Sequence, residues 1–192
     1  MVYAGFWPRF CAGFIDFLVF LPFLIANLWL GSLSKTLAIL FVVPTSIFYV
    51  AYEVYFHGRF GQTLGKRAVG IRVVTQEGTP ISWNQALVRS SVSIVFSLLT
   101  MAASLIAYLH FPYAQYNALG WWQRQTKLAD FFPSWGHTVS TASSIWSWSE
   151  VLVVLFNKKK RALHDFMAGT VVIEVKREVS TQPQAPIPNP SG

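Results

Sequence analysis

The stretch that decides the fold is Phe10-Cys-Ala-Gly-Phe-Ile-Asp-Phe-Leu-Val-Phe-Leu-Pro-Phe-Leu-Ile-Ala-Asn-Leu-Trp-Leu30, in which the only charged residue is Asp16. A helix needs about 20 predominantly apolar residues to cross the ~30 Å hydrocarbon core of a bilayer. The stretch therefore predicts a transmembrane helix. The acid inside it and the absence of an A-x-A-like site after it argue against a cleaved signal peptide.

Three further apolar runs of similar length follow, at 37–56, 92–111 and 139–156. The last is the weakest, because its first half contains Ser140-Thr-Ala-Ser-Ser144. The chain is 53% hydrophobic and only 12% charged, about half the ~25% charged content of a soluble domain. We therefore expect an all-α membrane protein, a bundle of about four transmembrane helices with a small cytoplasmic β element and interfacial helices.

The distribution of Lys and Arg predicts the orientation in the membrane. Of the 15 basic residues, only Lys35, Arg124 and Lys127 lie in the first and third loops, and the other twelve lie on the opposite side. Because cytoplasmic loops are enriched in Lys and Arg, we expect both termini in the cytoplasm and the protein in the cell membrane. The net charge of +7 is explained by these loops beside apolar runs, so no nucleic-acid partner is expected.

The segments between the spans predict small elements on the cytoplasmic side. Ile71-Arg-Val-Val74, a turn at Glu77-Gly78 and Thr79-Pro-Ile81 favour a β-hairpin, to which the β-branched run 170–175 could add a strand. Ser82 and Gln85 form a capping-box pattern, which predicts a helix that begins at Trp83, runs along the interface past Arg89 and turns into the third span.

Two other segments complete the organisation of the domain, expected at 1–179. The run 159–168 favours a short basic helix closed by Gly169, and the third loop, 112–138, is rich in aromatic residues that favour the headgroup layer. Residues 180–192, with their prolines, are expected to form a disordered cytoplasmic tail.

Acids within the spans are the first candidates for function. A carboxylate at bilayer depth costs about 2.5–3.5 kcal/mol on insertion scales, so it normally faces a cavity or a partner. Asp16, Glu53 and Glu150 all fall in the inner half of their spans, and Arg9 lies on the same helix face as Asp16. One hypothesis is a cytoplasm-open acidic cavity that binds a cation or a proton. The other is that the acids pair with Arg9, Tyr49, His57 or serines and only lock the helices together.

The glycine-rich loop Gly61-Gln-Thr-Leu-Gly-Lys66 does not predict nucleotide hydrolysis. A phosphate loop needs one more residue between the glycines and a Ser or Thr after the Lys, where this chain has Arg67. Lys66 and Arg67 are instead expected to contact anionic lipid headgroups. The four histidines show no metal-ligand spacing, so we expect no enzyme, metal or cofactor, although an intramembrane hydrolase stays a third alternative.

Three motifs together resemble the signatures of the RDD family, which is named for one Arg and two Asp. They are Pro8-Arg-Phe-Cys-Ala-Gly-Phe-Ile-Asp16, Gly61-Gln-Thr-Leu-Gly-Lys-Arg-Ala-Val-Gly-Ile-Arg-Val-Val74 and Arg161-Ala-Leu-His-Asp-Phe-Met-Ala-Gly-Thr-Val-Val172. By motif, the named residues would be Arg9, Asp16 and Asp165. The resemblance implies a bacterial or archaeal multi-spanning membrane protein whose activity is largely undefined, with transport of ions or small solutes the usual suggestion.

The resemblance adds one expectation about contacts. Asp165 could meet Arg9 at the inner mouth of the bundle, or Arg161 one turn back, as a latch or as a fixed clamp. Two functions stay open. The first is transport of a cation, proton or small solute through the acidic cavity, and the candidate pathway residues are Arg9, Asp16, Glu53, Glu150 and Asp165. The second is a structural or regulatory module that binds a membrane-protein partner. The expected partners are the lipid bilayer and either a second copy of the chain or another membrane protein.

Overall fold

The fold is a bundle of four long helices with a two-stranded sheet at one end. The computed structural model describes residues 1–175, so the predicted tail at 180–192 lies outside the described residues. The long helices are α1 (Phe6–Leu33), α2 (Lys35–Phe60), α4 (Trp83–His110) and α7 (Ser134–Phe156). Each is long and apolar enough to cross a membrane, which confirms the predicted bundle.

The short elements lie at the two ends of the bundle. One end of the bundle, which we call the sheet end, contains the short helices α3 (Leu64–Ala68) and α8 (Leu163–Ala168) and the strands β1 (Ile71–Thr75) and β2 (Thr170–Glu174). At the opposite end, the loop end, are α5 (Tyr113–Ala118), α6 (Trp121–Leu128) and a turn of 3₁₀ helix at Ala129–Phe131.

The fourth long helix is continuous despite its serine-rich first half. The Ser144 hydroxyl donates to the carbonyl oxygen of Ser140 at 3.0 Å, and the Ser147 hydroxyl donates to that of Ser143 at 2.9 Å. These bonds satisfy polar hydroxyls within the helix itself. A hydroxyl-rich sequence therefore forms a helix of membrane length.

Helix α4 begins where the sequence predicts and is continuous. Ser82 and Gln85 form the expected capping box, and the helix starts at Trp83. It runs unbroken to His110, so the segment predicted to follow the interface and the third span are one helix. No Gly or Pro interrupts these 28 residues, and at 1.5 Å per residue they extend about 42 Å. Arg89 is therefore carried on a span helix rather than on a separate interfacial helix.

The sheet pairs distant parts of the chain. Strands β1 and β2 are antiparallel, with Val73 opposite Val172, so the added strand predicted at 170–175 is confirmed. The predicted hairpin is present only in a minimal form: the Thr75 N–H donates to the carbonyl oxygen of Thr79 at 2.9 Å, and one antiparallel bridge joins Val74 to Pro80. Proline has no N–H to extend a ladder.

The other free edge of β2 is covered by the N-terminus. Tyr3 bridges Ile173, and the Ala4 N–H donates to the carbonyl oxygen of Val172 at 2.9 Å. This pairing, which the sequence did not predict, places the start of α1 beside α8.

Helix α8 is shorter than predicted. It begins at Leu163, not at residue 159, and ends at Ala168; Gly169 follows with a φ of 67°, which confirms the predicted glycine cap. Lys160 interrupts any earlier helix because its φ is 50°. The chain therefore turns after α7, and this turn positions Asp165 in the first turn of α8.

At the loop end, part of the aromatic segment forms a core. Phe111 and Tyr116 are buried, and the Tyr116 hydroxyl donates to the carbonyl oxygen of Gly31 at 2.6 Å. Lys35 donates to the carbonyl oxygen of Phe111 at 2.6 Å, and Arg124 to that of Ser32 at 2.7 Å. Two of the three basic residues on this side thus cap helix C-termini, where cations are favoured. The exposed rings of Trp121, Trp122 and Trp135 fit the predicted interfacial position.

Candidate functional site

The polar residues at the sheet end form two neighbouring groups. One group lines a cavity between α1, α2, α3 and α4, and we call it the acidic cavity. The other is a set of ion pairs around Asp165, the Asp165 cluster. The five predicted pathway residues divide between them: Asp16 and Glu53 line the cavity, whereas Arg9, Glu150 and Asp165 belong to the cluster.

Asp16 joins the first helix to the glycine-rich loop. Its carboxylate accepts hydrogen bonds from the Tyr52 hydroxyl at 2.6 Å, from the Thr63 hydroxyl at 2.6 Å and from the Gly65 N–H at 2.8 Å. A carboxylate has about four acceptor sites, so these donors occupy most of its capacity. Asp16 is therefore held in one position, and its contacts are not to Arg9, which the shared helix face had suggested.

The glycine at position 65 makes this contact possible. A Cβ atom there would overlap the backbone carbonyl of Ala12 and crowd the carboxyl carbon of Asp16. Only glycine allows this approach of two backbones. The glycine-rich loop is thus a docking segment for α1.

The acidic cavity has a volume of about 610 Å³, within the ~300–1,000 Å³ range of small-molecule sites. Its charged and titratable lining consists of Asp16, Glu53, His57 and Lys66, together with the phenol groups of Tyr49 and Tyr52. Within residues 1–175 the Glu53 carboxylate receives no hydrogen bond of the kind that holds Asp16. Next to it lies Ser90, whose buried hydroxyl is close enough to interact with the Glu53 carboxylate but makes no hydrogen bond of full geometry within residues 1–175. Glu53 is the carboxylate available to a ligand.

Lys66 points into this cavity. Its ammonium group lies 2.6 Å from Nε2 of His57, whose Nδ1 lies 2.9 Å from the carbonyl oxygen of Glu53. This geometry assigns the Nδ1–H tautomer to His57 when Lys66 donates. Burial, together with the positive charge of Arg89, lowers the pKa of Lys66 to about 7 against the opposing effect of Glu53.

The position of Lys66 does not fit the predicted contact with lipid headgroups. Its neighbour Arg67 is exposed, so the expectation of a headgroup contact stays a prediction for Arg67 alone.

The Asp165 cluster is built around one fully buried carboxylate. Arg9 donates to it at 2.9 Å, as the sequence predicted, and Arg89 donates to the other oxygen. The N–H of Ala162 and the hydroxyl of Thr170 complete the shell, at 2.9 and 3.2 Å. Burial alone would raise the pKa of Asp165, but the charges of Arg89, His164 and Arg9 hold it well below its ordinary value. Asp165 is therefore ionised at neutral pH.

Arg161, the alternative partner of Asp165, makes a different contact. Its guanidinium donates to the backbone carbonyl of Asp165 at 2.8 Å and lies over the ring of Phe166. It therefore supports the last turn of α8 and does not pair with the carboxylate.

Glu150 belongs to the cluster and not to the acidic cavity. It contacts the ring of His164 as an ion pair or hydrogen bond, and it accepts from the His164 N–H at 3.0 Å. Burial lowers the pKa of His164, and the charge of Arg89 adds to this effect while Glu150 opposes it. Glu150 therefore ties α7 to the N-terminus of α8.

Arg89 is the residue that sequence reasoning missed. Its side chain is almost fully buried, and it contacts Asp165, the Thr170 hydroxyl at 2.9 Å and Nε2 of His164 at 2.7 Å. The sequence signal is an arginine two turns inside a helix that contains no other Asp, Glu, Lys or Arg. The sequence alone explains such an arginine by membrane orientation. Arg89 also lowers the pKa of Lys66, so the cluster and the cavity lie within electrostatic reach of each other.

These features define a small multi-spanning membrane protein whose sheet end is held by buried ion pairs beside an acidic cavity. Within residues 1–175, no three His, Cys, Asp or Glu side chains converge as metal ligands. The RDD family model matches residues 3–169, and the chain belongs to the RDD family.

A curated relative has also been identified in Bacillus subtilis (strain 168). The chain is similar to the uncharacterized membrane protein YteJ of that organism, with 34% identity over 99 residues, which cover 47% of this chain and 60% of that protein. The match thus spans less than two thirds of the relative. No solved structure matches the chain.

Proposed function

We propose that the protein transports a small cation, a proton or a small polar solute through the acidic cavity, with Glu53 as the group that binds it. The observation that supports this is the position of Glu53: a carboxylate on the wall of a 610 Å³ cavity, without the hydrogen bonds that occupy Asp16. A charged side chain at membrane depth is costly unless it is paired or functional.

In the proposed orientation, the protein lies in a prokaryotic plasma membrane with its sheet end on the cytoplasmic side. Arg9, Lys66, Arg67, Arg89 and Arg161 all belong to this end, whereas Lys35, Arg124 and Lys127 belong to the loop end. This asymmetry is what the enrichment of basic residues in cytoplasmic loops predicts. The acidic cavity would then receive its solute from the cytoplasm.

Asp16 and the Asp165 cluster have a positioning role in this proposal. Asp16 fixes the glycine-rich loop that carries Lys66, and Asp165 fixes the start of α1 against α4 and α8. Both sets of contacts determine the shape of the cavity. Neither carboxylate is free to bind a solute.

A non-transporting structural or regulatory module is the second candidate. The same fully paired contacts of Asp16 and Asp165 favour it, because they are what a rigid clamp between helices requires. In that case the cavity would be a packing defect, and the protein would act by binding a membrane-protein partner.

The test is flux through purified protein in liposomes. Glu53→Gln keeps the shape of the side chain and removes its charge, so we expect it to abolish flux of the transported cation or proton while the protein purifies with unchanged thermal stability. Glu77→Gln, in an exposed turn, is the matched control and should retain full flux. If wild-type protein moves neither protons nor any of a panel of alkali cations and small polar solutes, transport is wrong and the module is favoured.

A further inference from the structure

Two further cavities are lined by hydroxyl groups, one between α2, α4 and α7 and the other between α4, α7 and the 3₁₀ turn that precedes α7. The first has a volume of about 330 Å³ and is lined on α4 by Ser93, Ser97, Thr100 and Ser104, and on α7 by Ser143 and Ser147. The second, of about 470 Å³, is nearer the loop end and has His137, Ser140 and Ser144 on its wall. Neither is lined by Asp, Glu, Lys or Arg.

These cavities are adjacent to the acidic cavity and to each other. Ser46, Tyr49 and Ser97 line both the acidic cavity and the 330 Å³ cavity. Thr100 and Ser143 line both the 330 Å³ and the 470 Å³ cavities. The three spaces therefore follow one another from the sheet end to the loop end.

The hydroxyls on α4 form one row. Ser93, Ser97, Thr100 and Ser104 are spaced by four, three and four residues, which places them on one face of the helix. None of them makes a hydrogen bond to another group in residues 1–175. Ser90 begins the row beside Glu53, and its fully buried hydroxyl makes no hydrogen bond of full geometry among the described residues.

The hydroxyls on the facing helices present oxygen atoms to the gap. Ser46, Ser144 and Ser147 each donate to a carbonyl oxygen four residues earlier in their own helix, at 2.9 to 3.0 Å. Their lone pairs are left as acceptors. A polar wall of this kind in the membrane needs a hydrogen-bonding partner, and a cavity this large accommodates water.

We propose that this row of hydroxyls lines a water-filled passage that continues the acidic cavity from Glu53 to His137 at the loop end. With uncharged walls made of hydroxyl groups, which both donate and accept hydrogen bonds, the passage suits water and the small hydrated species that water carries, such as a proton or a monovalent cation. The identity of the solute rests on the function proposed above, whereas the presence of water in the passage does not.

Cysteine accessibility tests the passage. Cys11, the only cysteine and an exposed residue, is replaced by Ser, and Ser97→Cys, Ser104→Cys and Ser143→Cys, at wall positions that are not exposed, are then made singly. Leu98→Cys and Leu99→Cys are matched controls on α4 at the same depth, on the face that the bundle leaves exposed. Each variant in membrane vesicles is treated with a membrane-impermeant cationic methanethiosulfonate reagent.

We expect the passage cysteines to react at least about tenfold faster than the control cysteines, because the reactive thiolate forms in water and not in lipid. Three wall positions keep the test valid if one variant fails to purify. Equal, slow labelling of wall and control positions would overturn the passage, since it would show that protein or lipid fills the gap.

Labelling and flux separate the two proposals. Fast labelling of Ser97→Cys together with an absence of any flux supports the passage and overturns the transport function. Cation or proton flux with no labelling at the wall positions supports transport and overturns this route. Adding Glu53→Gln to Ser97→Cys should leave labelling unchanged, because the substitution removes a binding group without closing the gap.

Discussion

Replacing Asp165 by Asn should strongly destabilise the folded protein. The carboxylate is 0% exposed and forms ion pairs with Arg9 and Arg89, whose side chains are only 14% and 3% exposed. Asparagine keeps one acceptor but directs an NH₂ group at one of the two guanidinium groups, and it leaves both positive charges buried without a countercharge. Breaking a buried ion pair of this kind costs about 3–5 kcal/mol.

The matched control is the other Asp in an ion pair with a basic side chain. Asp130 pairs with Lys127 at 3.0 Å, but both side chains are more than half exposed. Asp130→Asn also removes an ion pair, and we expect it to change the free energy of unfolding by no more than about 0.5 kcal/mol, because water screens the exposed pair. The difference between the two variants isolates the effect of burial.

The assay is thermal unfolding of purified protein in detergent, monitored by size-exclusion chromatography, with reversible unfolding in mixed micelles to obtain free energies. The pKa of Asp165 lies below that of an unfolded Asp (~3.9), so its contribution is present above that pH and is lost only as the pH falls through the folded value. The difference between wild type and Asp165→Asn should therefore be constant from pH 5 to 8. A loss below about 1 kcal/mol, or a difference that grows with pH in this window, would show that the reasoning about the cluster is wrong.

Three further substitutions test the acidic cavity and its loop. Because burial lowers the pKa of Lys66 to about 7, below the ~10.4 of an unfolded lysine, thermal stability should rise between pH 7 and pH 10, and Lys66→Met should remove this rise. Gly65→Ala should cost about 1–3 kcal/mol, measured by thermal unfolding, because the new methyl group overlaps the backbone of Ala12. Tyr52→Phe should cost about 1–3 kcal/mol in the same assay, because the Asp16 carboxylate and the Leu64 N–H both lose their bond to the phenol.

Control measurements accompany these three substitutions. Gly13→Ala meets no atom within 4 Å, so it should cost nothing, and a loss equal to that of Gly65→Ala would contradict the packing argument. Tyr55→Phe removes a phenol from an exposed ring and should be neutral. A stability profile between pH 7 and pH 10 that is identical in wild type and Lys66→Met would show that Lys66 keeps an ordinary pKa.

The sequence predicted the contact of Arg9 with Asp165 but not that of Arg89 with Asp165, and the difference has a physical reason. Arg9 and Asp165 were expected to meet because each lies at the same membrane boundary in a recognised motif. Arg89 was assigned to orientation because a lone arginine near a span end is usually explained by the positive-inside rule. Its partner lies 76 residues away in the chain, and no local pattern encodes such a pairing.

The strands show the same limit. The sequence contained two β-branched runs, and local turn signals favoured a hairpin at Glu77-Gly78. The structure keeps the turn back from β1, but only as one antiparallel bridge between Val74 and Pro80, because Pro80 has no N–H to extend a ladder. The full-length partner of β1 lies on its other edge and is β2, a segment from a distant part of the chain that no local turn signal identifies.

By itself, the sequence determined that the chain is a membrane protein with four spans, because the free energy of burying apolar residues in lipid adds up along a run of about 20 residues and needs no tertiary contact. It also determined the caps at Ser82 and Gly169, because these depend on a few neighbouring residues. Only the tertiary structure decided which carboxylates are locked and which is free. Asp16 and Asp165 are held by hydrogen-bond donors from distant elements, whereas Glu53 on the cavity wall has no such set of donors within residues 1–175. Such differences arise only when helices from across the chain pack together.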